Sequence, residues 1–178
     1  MSVPLDIREF SKFFRHFSRS AFRLETLDSY SVPEEAESYR RFLDGQTPPV
    51  SNNEEWCQLI RENFDAGKAM ERVHLVSSPL TPYLRFEIDW GYVHSSAAGE
   101  RIHLLDRTKV SAEIASMKDF WLFDDSILVL MHYDENGSFV GVERENEPRV
   151  IAAHVRARAL LLSISVPFEQ RVAKDRIA

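Results

Sequence analysis

The sequence has little of several features that would point directly to a function. It contains one cysteine, Cys57, so neither an internal disulfide nor a thiolate cage around a metal can form. Its formal charge of −6 argues against a sequence-independent grip on nucleic acid, which needs a basic surface. No apolar run approaches the length of a membrane span, and no basic start precedes an apolar signal segment. We therefore expect a cytoplasmic protein that contacts no membrane and does not bind nucleic acid directly.

The common catalytic and metal-binding motifs are also missing. Gly-x-Ser-x-Gly, a phosphate-binding Gly-rich loop ending in Lys-Ser or Lys-Thr, and His-Glu-x-x-His do not occur. The six histidines are scattered, and none pairs with another at the i, i+4 spacing of a helix. We therefore predict no cofactor, no metal site and no assigned catalytic residue.

The most informative stretch, residues 72–106, predicts a strand, a helix and a second strand. Residues 72–76 alternate in polarity, as strands do. Thr81, followed by proline, is a helix N-cap, and Gly99 suits the position after a helix end. Residues 101–106 alternate again. A crossover of this length joins two parallel strands in one sheet.

Downstream, three short strands follow at residues 119–123, 127–133 and 138–142. An Asp-Asp pair at 124–125 and the sequence Asp-Glu-Asn-Gly at 134–137 are typical of tight turns between antiparallel strands. The pattern predicts a three-stranded meander beside the parallel pair.

These elements predict a single α/β domain with a mixed sheet, in which helices cover both faces of a parallel core and an antiparallel meander. We expect residues 1–45 to be a helical N-terminal extension packed on the core, residues 54–168 to be the core domain and residues 169–178 to be a frayed tail. In the extension, Phe10, Phe13, Phe14 and Phe17 share one helical face. We favour their docking on the core; the alternative is a partner-binding helix.

The predicted central helix carries a surplus of large amphipathic side chains, the types that dominate protein interfaces. Its start follows a strand end, where open α/β sheets place ligands, so a small anionic ligand is also possible there. The predicted ligand- or partner-binding residues are Arg72, Ser78, Thr81, Tyr83, Arg85, Asp89 and Tyr92.

A different set of residues would support an enzyme. Asp124 and Asp125, together with His103 or His132, offer acid and base groups for small-molecule or nucleotide chemistry. A simple hairpin turn is the more economical interpretation of the aspartate pair. A closed pocket in which the four side chains converge would favour the enzyme.

Several stretches carry a family resemblance. AFRLETLDSYSVPEE, RVHLVSSPLTPYLRFEIDWGY, AAGERIHLLD and DFWLFDDSILVLMHYDENGSFVGVE, with the closing VPF, resemble an actinobacterial domain family of unknown function. The second half is also similar to phospholipase D-like sensor domains. Active members of that superfamily use His-x-Lys-x4-Asp, whereas His132-Tyr133-Asp134 lacks the lysine. The resemblance therefore implies a degenerate, binding version of the fold.

The first resemblance also implies a regulatory context, because that family is commonly encoded beside XRE-type helix-turn-helix regulators and small acidic companion proteins. We therefore expect a non-enzymatic regulatory or ligand-sensing module that acts through a protein partner, a helix-turn-helix transcription regulator. The alternatives are the enzyme described above and a toxin or effector controlled by its genetic neighbour.

Overall fold

Eight strands form one mixed sheet in the computed structural model, which describes residues 1–50 and 53–170. The strands are β1 (Val3–Leu5), β2 (Ser20–Glu25), β3 (Ala69–Val76), β4 (Arg101–Asp106), β5 (Phe120–Phe123), β6 (Ile127–Tyr133), β7 (Phe139–Glu145) and β8 (Val166–Pro167). Their order across the sheet is β1-β7-β6-β5-β2-β3-β4-β8. β2, β3 and β4 are parallel, and every other pairing is antiparallel. The predicted fold class is confirmed.

Helices lie on both faces of this sheet. They are α1 (Ile7–His16), α2 (Ala36–Leu43), α3 (Glu54–Asp65), α4 (Pro82–Phe86), α5 (Tyr92–Ala97), α6 (Ala112–Ala115) and α7 (Pro148–Ile164). A short 3-10 turn, Pro33–Glu35, precedes α2. No helix in the described ranges is both long and apolar enough to cross a membrane.

The connection between β3 and β4 follows the sequence prediction, with one difference. The Thr81 hydroxyl accepts a hydrogen bond from the Leu84 amide at 3.1 Å and so caps α4. Gly99, with φ of 115°, ends the helical segment. Between α4 and α5, however, residues Glu87–Gly91 form a π-helical turn, so one long helix becomes three pieces. The wider π turn changes which side chains face the sheet.

The first 45 residues were expected to be a helical extension, but they supply two strands of the sheet. β2 lies at its centre, paired in parallel with β3 and in antiparallel with β5. β1 pairs with β7 at one edge. Residue 45 therefore marks no boundary between an extension and a core. Of the predicted tail, residues 171–178 lie outside the described ranges.

The two faces of the sheet are packed differently. On the face that carries α7, called here the second face, every inward side chain of β2 and β5 is apolar, and Phe22, Leu24, Phe120 and Leu122 are fully buried against Leu161. The opposite face, called the first face, carries α1, α3, α4 and α5. The part of this face under α1 and α3 is an aromatic cluster, and the part around Glu25 and Arg72 is polar.

The aromatic cluster settles how α1 is placed. Phe10, Phe14 and Phe17 are buried on the first face. The Phe14 ring packs edge-on against Trp121 at 4.8 Å between centroids and against Phe123 at 5.2 Å. The preferred interpretation, docking on the core, is confirmed. At α3, by contrast, Phe64 is 60% exposed.

Candidate ligand-binding site

A cavity of about 590 Å³ opens on the first face, at the carboxyl ends of β2 and β3. Its volume lies within the roughly 300–1,000 Å³ typical of small-molecule sites. Carboxylates and aromatic rings dominate its lining, which includes Glu25, Tyr30, Glu34, Glu35, Arg72, Tyr83, Glu87, Tyr133 and Phe139. Ligands of open α/β sheets bind at this end of parallel strands.

One wall of the cavity depends on a close approach between two loops. The Ser31 amide donates a hydrogen bond to the Gly137 carbonyl at 2.9 Å. Gly137 has φ of 76°, and a Cβ atom there would lie 2.5 Å from the Ser29 carbonyl oxygen. Only glycine fits this contact, which holds the segment after β2 against the β6–β7 turn. The segment then enters the 3-10 turn that carries Glu35.

The first part of the floor is a buried ionic cluster. Nη1 of Arg72 donates to both carboxylate oxygens of Glu25 at 2.9 Å, and its Nε donates to Glu100 at 3.0 Å. The Tyr92 hydroxyl lies 2.5 Å from Nδ1 of His74 and 3.1 Å from Glu25. Burial alone would raise the pKa of Glu25, but Arg72, His74 and Arg23 outweigh it and lower the pKa to about 2.

The second part of the floor centres on Asp119, which is also buried. Its carboxylate accepts hydrogen bonds from the Tyr30 hydroxyl at 2.5 Å, from Arg23 at 3.1 Å, and from both the amide and the hydroxyl of Thr26. Arg23 also donates to the Tyr133 hydroxyl at 2.9 Å. Tyr30 and Tyr133 are thereby fixed where they line the cavity. These contacts hold the carboxylate of Asp119 in place before any ligand binds, although the buried Nη1 of Arg23 has no hydrogen-bond partner among the described residues.

Two acidic groups on the cavity wall have raised pKa values, unlike Glu25 in the floor, whose pKa is lowered. Glu87 comes from the π turn and is 9% exposed, and Glu35 comes from the 3-10 turn. Burial, with the charges of Glu35 and Glu25, raises the pKa of Glu87 well above its usual range. Burial likewise raises the pKa of Glu35, which accepts a hydrogen bond from the Tyr83 hydroxyl at 3.0 Å.

The structure does not bring the seven predicted binding residues to one surface. Arg72 and Tyr83 line the cavity, and Tyr92 lies buried next to its floor. Arg85 and Asp89 are exposed on the other side of the helical segment. Tyr83 and Arg85 are two residues apart in α4, which places them on opposite sides of a helix, so ordinary helical spacing already separates these groups.

The other two predicted residues do not form an anion site. Ser78 is exposed in the loop before α4. The Thr81 hydroxyl is already engaged, since it caps α4 and donates to the Asp28 carbonyl at 2.7 Å. Asp28 also accepts hydrogen bonds from the amide and the hydroxyl of Ser77. These contacts hold the loop together and leave little donor capacity for a ligand.

The four residues of the enzyme alternative do not converge. His103 is on β4 and His132 on β6, with three strands between them, so they are about 19 Å apart at the usual strand spacing. Asp124 accepts hydrogen bonds from the amides of Ser18, Arg19 and Ser20 at the hairpin turn. Asp125 pairs with Arg158 at 2.8 Å.

Both aspartates adopt left-handed backbone conformations, with φ of 51° and 56°. They form the tight turn that the sequence predicted. In the described part of the chain, no group of three or more metal-ligating side chains is arranged to hold a metal ion.

Sequence reasoning missed most of the cavity lining, including Glu25, Tyr30, Glu35, Glu87 and Tyr133. The available signal was in β2, where Arg23 and Glu25 alternate with apolar residues. Such alternation usually marks a solvent-facing side. A central strand has no such side, so two charges in its middle indicate a buried polar network.

The fold and cavity define an α/β protein with a ligand-sized cavity at the carboxyl end of its parallel strands. The sequence places it more narrowly: a family model described as a domain of unknown function (DUF6879) matches residues 8–173, and the chain belongs to that family. No curated protein matches the sequence.

Solved structures show a likeness of fold. The phospholipase D family member Nuc from Salmonella typhimurium aligns with a TM-score of 0.50 and 6% identity, over 89% of this chain and 90% of that chain. TrmBL2, an archaeal chromatin protein, aligns with a TM-score of 0.50 and 10% identity, over 94% of this chain and 52% of that chain. At these identities the likeness concerns the fold alone.

Proposed function

We propose that this protein is a non-enzymatic ligand-sensing module, which binds a small molecule in the cavity and transmits its presence to a protein partner. The observation that supports this best is the cavity itself. It has the volume of a small-molecule site, and its floor is held by the hydrogen bonds of Glu25 and Asp119. A preformed site of this kind reduces the ordering that accompanies binding.

The chemistry of the lining favours binding over turnover. The described lining contains no histidine, cysteine or lysine. Nearby His74 is fully buried, and both of its ring nitrogens are engaged, Nδ1 with Tyr92 and Nε2 with the Leu27 carbonyl at 2.8 Å. A nucleophile–base pair built on histidine, cysteine or lysine is therefore not assembled in the described lining.

One observation favours an enzyme as a second candidate. Glu35 and Glu87 both face the cavity with raised pKa values, as catalytic acids and bases often do. The two candidates differ in what happens to the bound molecule, since a sensor returns it chemically unchanged.

The test uses native mass spectrometry after the purified protein is incubated with a small-molecule extract of cells. We expect an added mass on the wild-type protein and its loss in Ser138→Trp, which fills the cavity from its wall. Arg85→Ala, on the exposed outer side of the helical segment, is the matched control and should keep the added mass. Equal added mass in all three proteins, or none in the wild type, would contradict the proposal. A released molecule of changed composition would favour the enzyme.

The partner that we propose is a helix-turn-helix regulator, in the actinobacterial regulatory context that the sequence resemblance implies. The surface that we propose for it is the outer side of α4 and α5 with the π turn, where Arg85, Asp89 and Val93 are exposed. An affinity pull-down with Arg85→Glu, and with Lys109→Glu as an exposed control elsewhere, tests this surface. We expect a helix-turn-helix protein that is lost only with Arg85→Glu. Its retention by that variant would contradict the surface, and recovery of no such protein would contradict the partner.

A further inference from the structure

The described cavity lining carries an excess of carboxyl groups over cations. Four carboxylates face one cation, Arg72, in its described lining: Glu25, Glu34, Glu35 and Glu87. The Arg72 guanidinium is already engaged by two carboxylates, Glu25 at 2.9 Å and Glu100 at 3.0 Å. None of the other three lining carboxylates forms an ion pair with a residue in 1–50 or 53–170. The described lining therefore offers no unengaged cation to the small anionic ligand expected from the sequence.

Glu87 gives the second and independent sign of a ligand. It is 91% buried, at 9% exposure, and lines the cavity. In the part of the chain that the structure describes, its carboxylate has no hydrogen bond or ion pair, and its oxygens are not fully enclosed, so they reach the cavity. Burying a carboxylate without a partner is costly, so the group must either hold a proton or meet a cation.

The local backbone favours this position of Glu87. Gly91 lies four residues later in the same π turn, and a Cβ atom there would be 3.2 Å from Oε1 of Glu87. Any larger residue at Gly91 would press on the carboxylate. The π turn and Gly91 together let an acidic side chain lie over the helical backbone beside the cavity. Single π turns of this kind occur frequently at functional sites.

Aromatic side chains complete the lining. The rings of Tyr30, Tyr83, Tyr133 and Phe139 share the cavity with the carboxylates. Tyr30 packs edge-on against Tyr133 with 5.0 Å between centroids, and Tyr133 packs against Phe139 at 6.0 Å. Aromatic rings attract cations through their electron-rich faces, and they also provide apolar surface for an organic body.

We propose that the ligand is a small organic cation: an amine whose positive group binds at Glu87 and Glu35 and whose apolar body packs against the tyrosine and phenylalanine rings. The proposal rests on the proposed function, since it names the chemical class of the molecule bound in that cavity. A bare metal ion fits poorly, because no cluster of metal ligands occurs in the described residues and the cavity is far larger than an ion. The aromatic lining calls for an organic body.

The test is isothermal titration calorimetry with probes of matched shape and different charge. Phenethylamine is the cation, phenylacetate the anion and phenylethanol the neutral analogue, with choline and agmatine as further amines. We expect at least one amine to bind about tenfold or more tightly than the anion and the neutral analogue. Glu87→Gln should weaken that amine by about tenfold or more, as expected for loss of a charged hydrogen bond.

Two further variants keep the result interpretable. Glu62→Gln removes an exposed carboxylate on α3 and should leave amine binding unchanged. Glu35→Gln removes the second proposed carboxylate, so it tests the site even if Glu87→Gln folds poorly. Circular dichroism and thermal melts establish that each variant is folded. Unchanged amine affinity in both folded cavity variants would overturn the proposal.

The remaining outcomes separate this inference from the proposed function. If phenylacetate or phenylethanol binds as tightly as the amines and Ser138→Trp abolishes that binding, the cation proposal fails and the sensing function stands. If no probe binds at millimolar concentration, the charge of the molecule recovered from the cell extract decides whether the cation proposal stands. A recovered amine supports the proposal, whereas a neutral or anionic molecule overturns it. If the extract also yields no bound molecule, both proposals fail.

Discussion

Glu25 offers the most direct test of the ionic cluster under the cavity. Glu25→Gln keeps the shape of the side chain but removes the charge that Arg72 and His74 face. The side chain is buried, so solvent does not screen the interaction strongly. The lowering of its pKa from 4.5 to about 2 corresponds to about 3 kcal/mol of folding free energy. We expect the variant to lose about that much stability at neutral pH.

The sign of the pH dependence follows from the direction of the shift. Because the folded pKa lies below the unfolded value, the contribution of Glu25 is fully present above about pH 4.5. It is lost as the pH falls through about 2, below which Glu25 is protonated in both states. The stability difference between wild type and Glu25→Gln should therefore shrink across this window.

Urea unfolding at neutral pH and at several values down to about pH 2 measures this difference. In thermal melts, the expected loss corresponds to a Tm lower by about 6–12 °C at neutral pH. Glu62→Gln is the exposed control and should change stability little. A difference that stays constant over the whole pH range would refute the electrostatic argument and assign the loss to packing.

Three further substitutions test other parts of the structure. Glu87→Gln should become more stable than wild type as the pH rises. Because the folded pKa of Glu87 is raised, its contribution to the stability of the wild type is present below about pH 4.5 and is lost as the pH rises through the folded pKa. A stability difference between the two proteins that does not change with pH would contradict this. Phe14→Ala should cost about 3–5 kcal/mol in urea unfolding and Phe64→Ala under about 1, since only Phe14 is buried, and equal losses would refute the docking of α1. Asp119→Asn should cost about 3–5 kcal/mol by removing the nearer of the two carboxylates that Arg23 faces, at 3.1 Å, and leaving only Glu25 at 3.6 Å; a loss below about 1 kcal/mol would show that the network is not required.

Much of the architecture could be predicted because local signals agreed with the final fold. Gly99, Asp124 and Gly137 have a positive φ, which few residues adopt readily, and Thr81 provides a hydroxyl that caps α4. The two edge strands, β1 and β8, could not be predicted, since three and two residues give no periodicity. Their pairing depends on neighbours distant in the chain.

The candidate site was less predictable for a different reason. Arg72 and Tyr83 were singled out, but as parts of an exposed surface, whereas the structure gathers them with Glu25, Glu35 and Glu87. These residues come from the end of β2, a 3-10 turn and a π turn. These elements are brought together only by the topology of the fold, so the spacing of the residues in the sequence does not predict that they lie close together.

The position of β2 has a consequence for any attempt to study parts of this chain. A fragment that starts after residue 45 would lack the central strand, and β3 and β5 would each expose an unpaired row of backbone groups. Two such edges facing each other invite pairing with other chains, and such a fragment should aggregate. A separately expressed peptide carrying β2 would fit between these two strands, in parallel with β3 and in antiparallel with β5. The chain is thus suited to splitting and reassembly at the loop near residue 45.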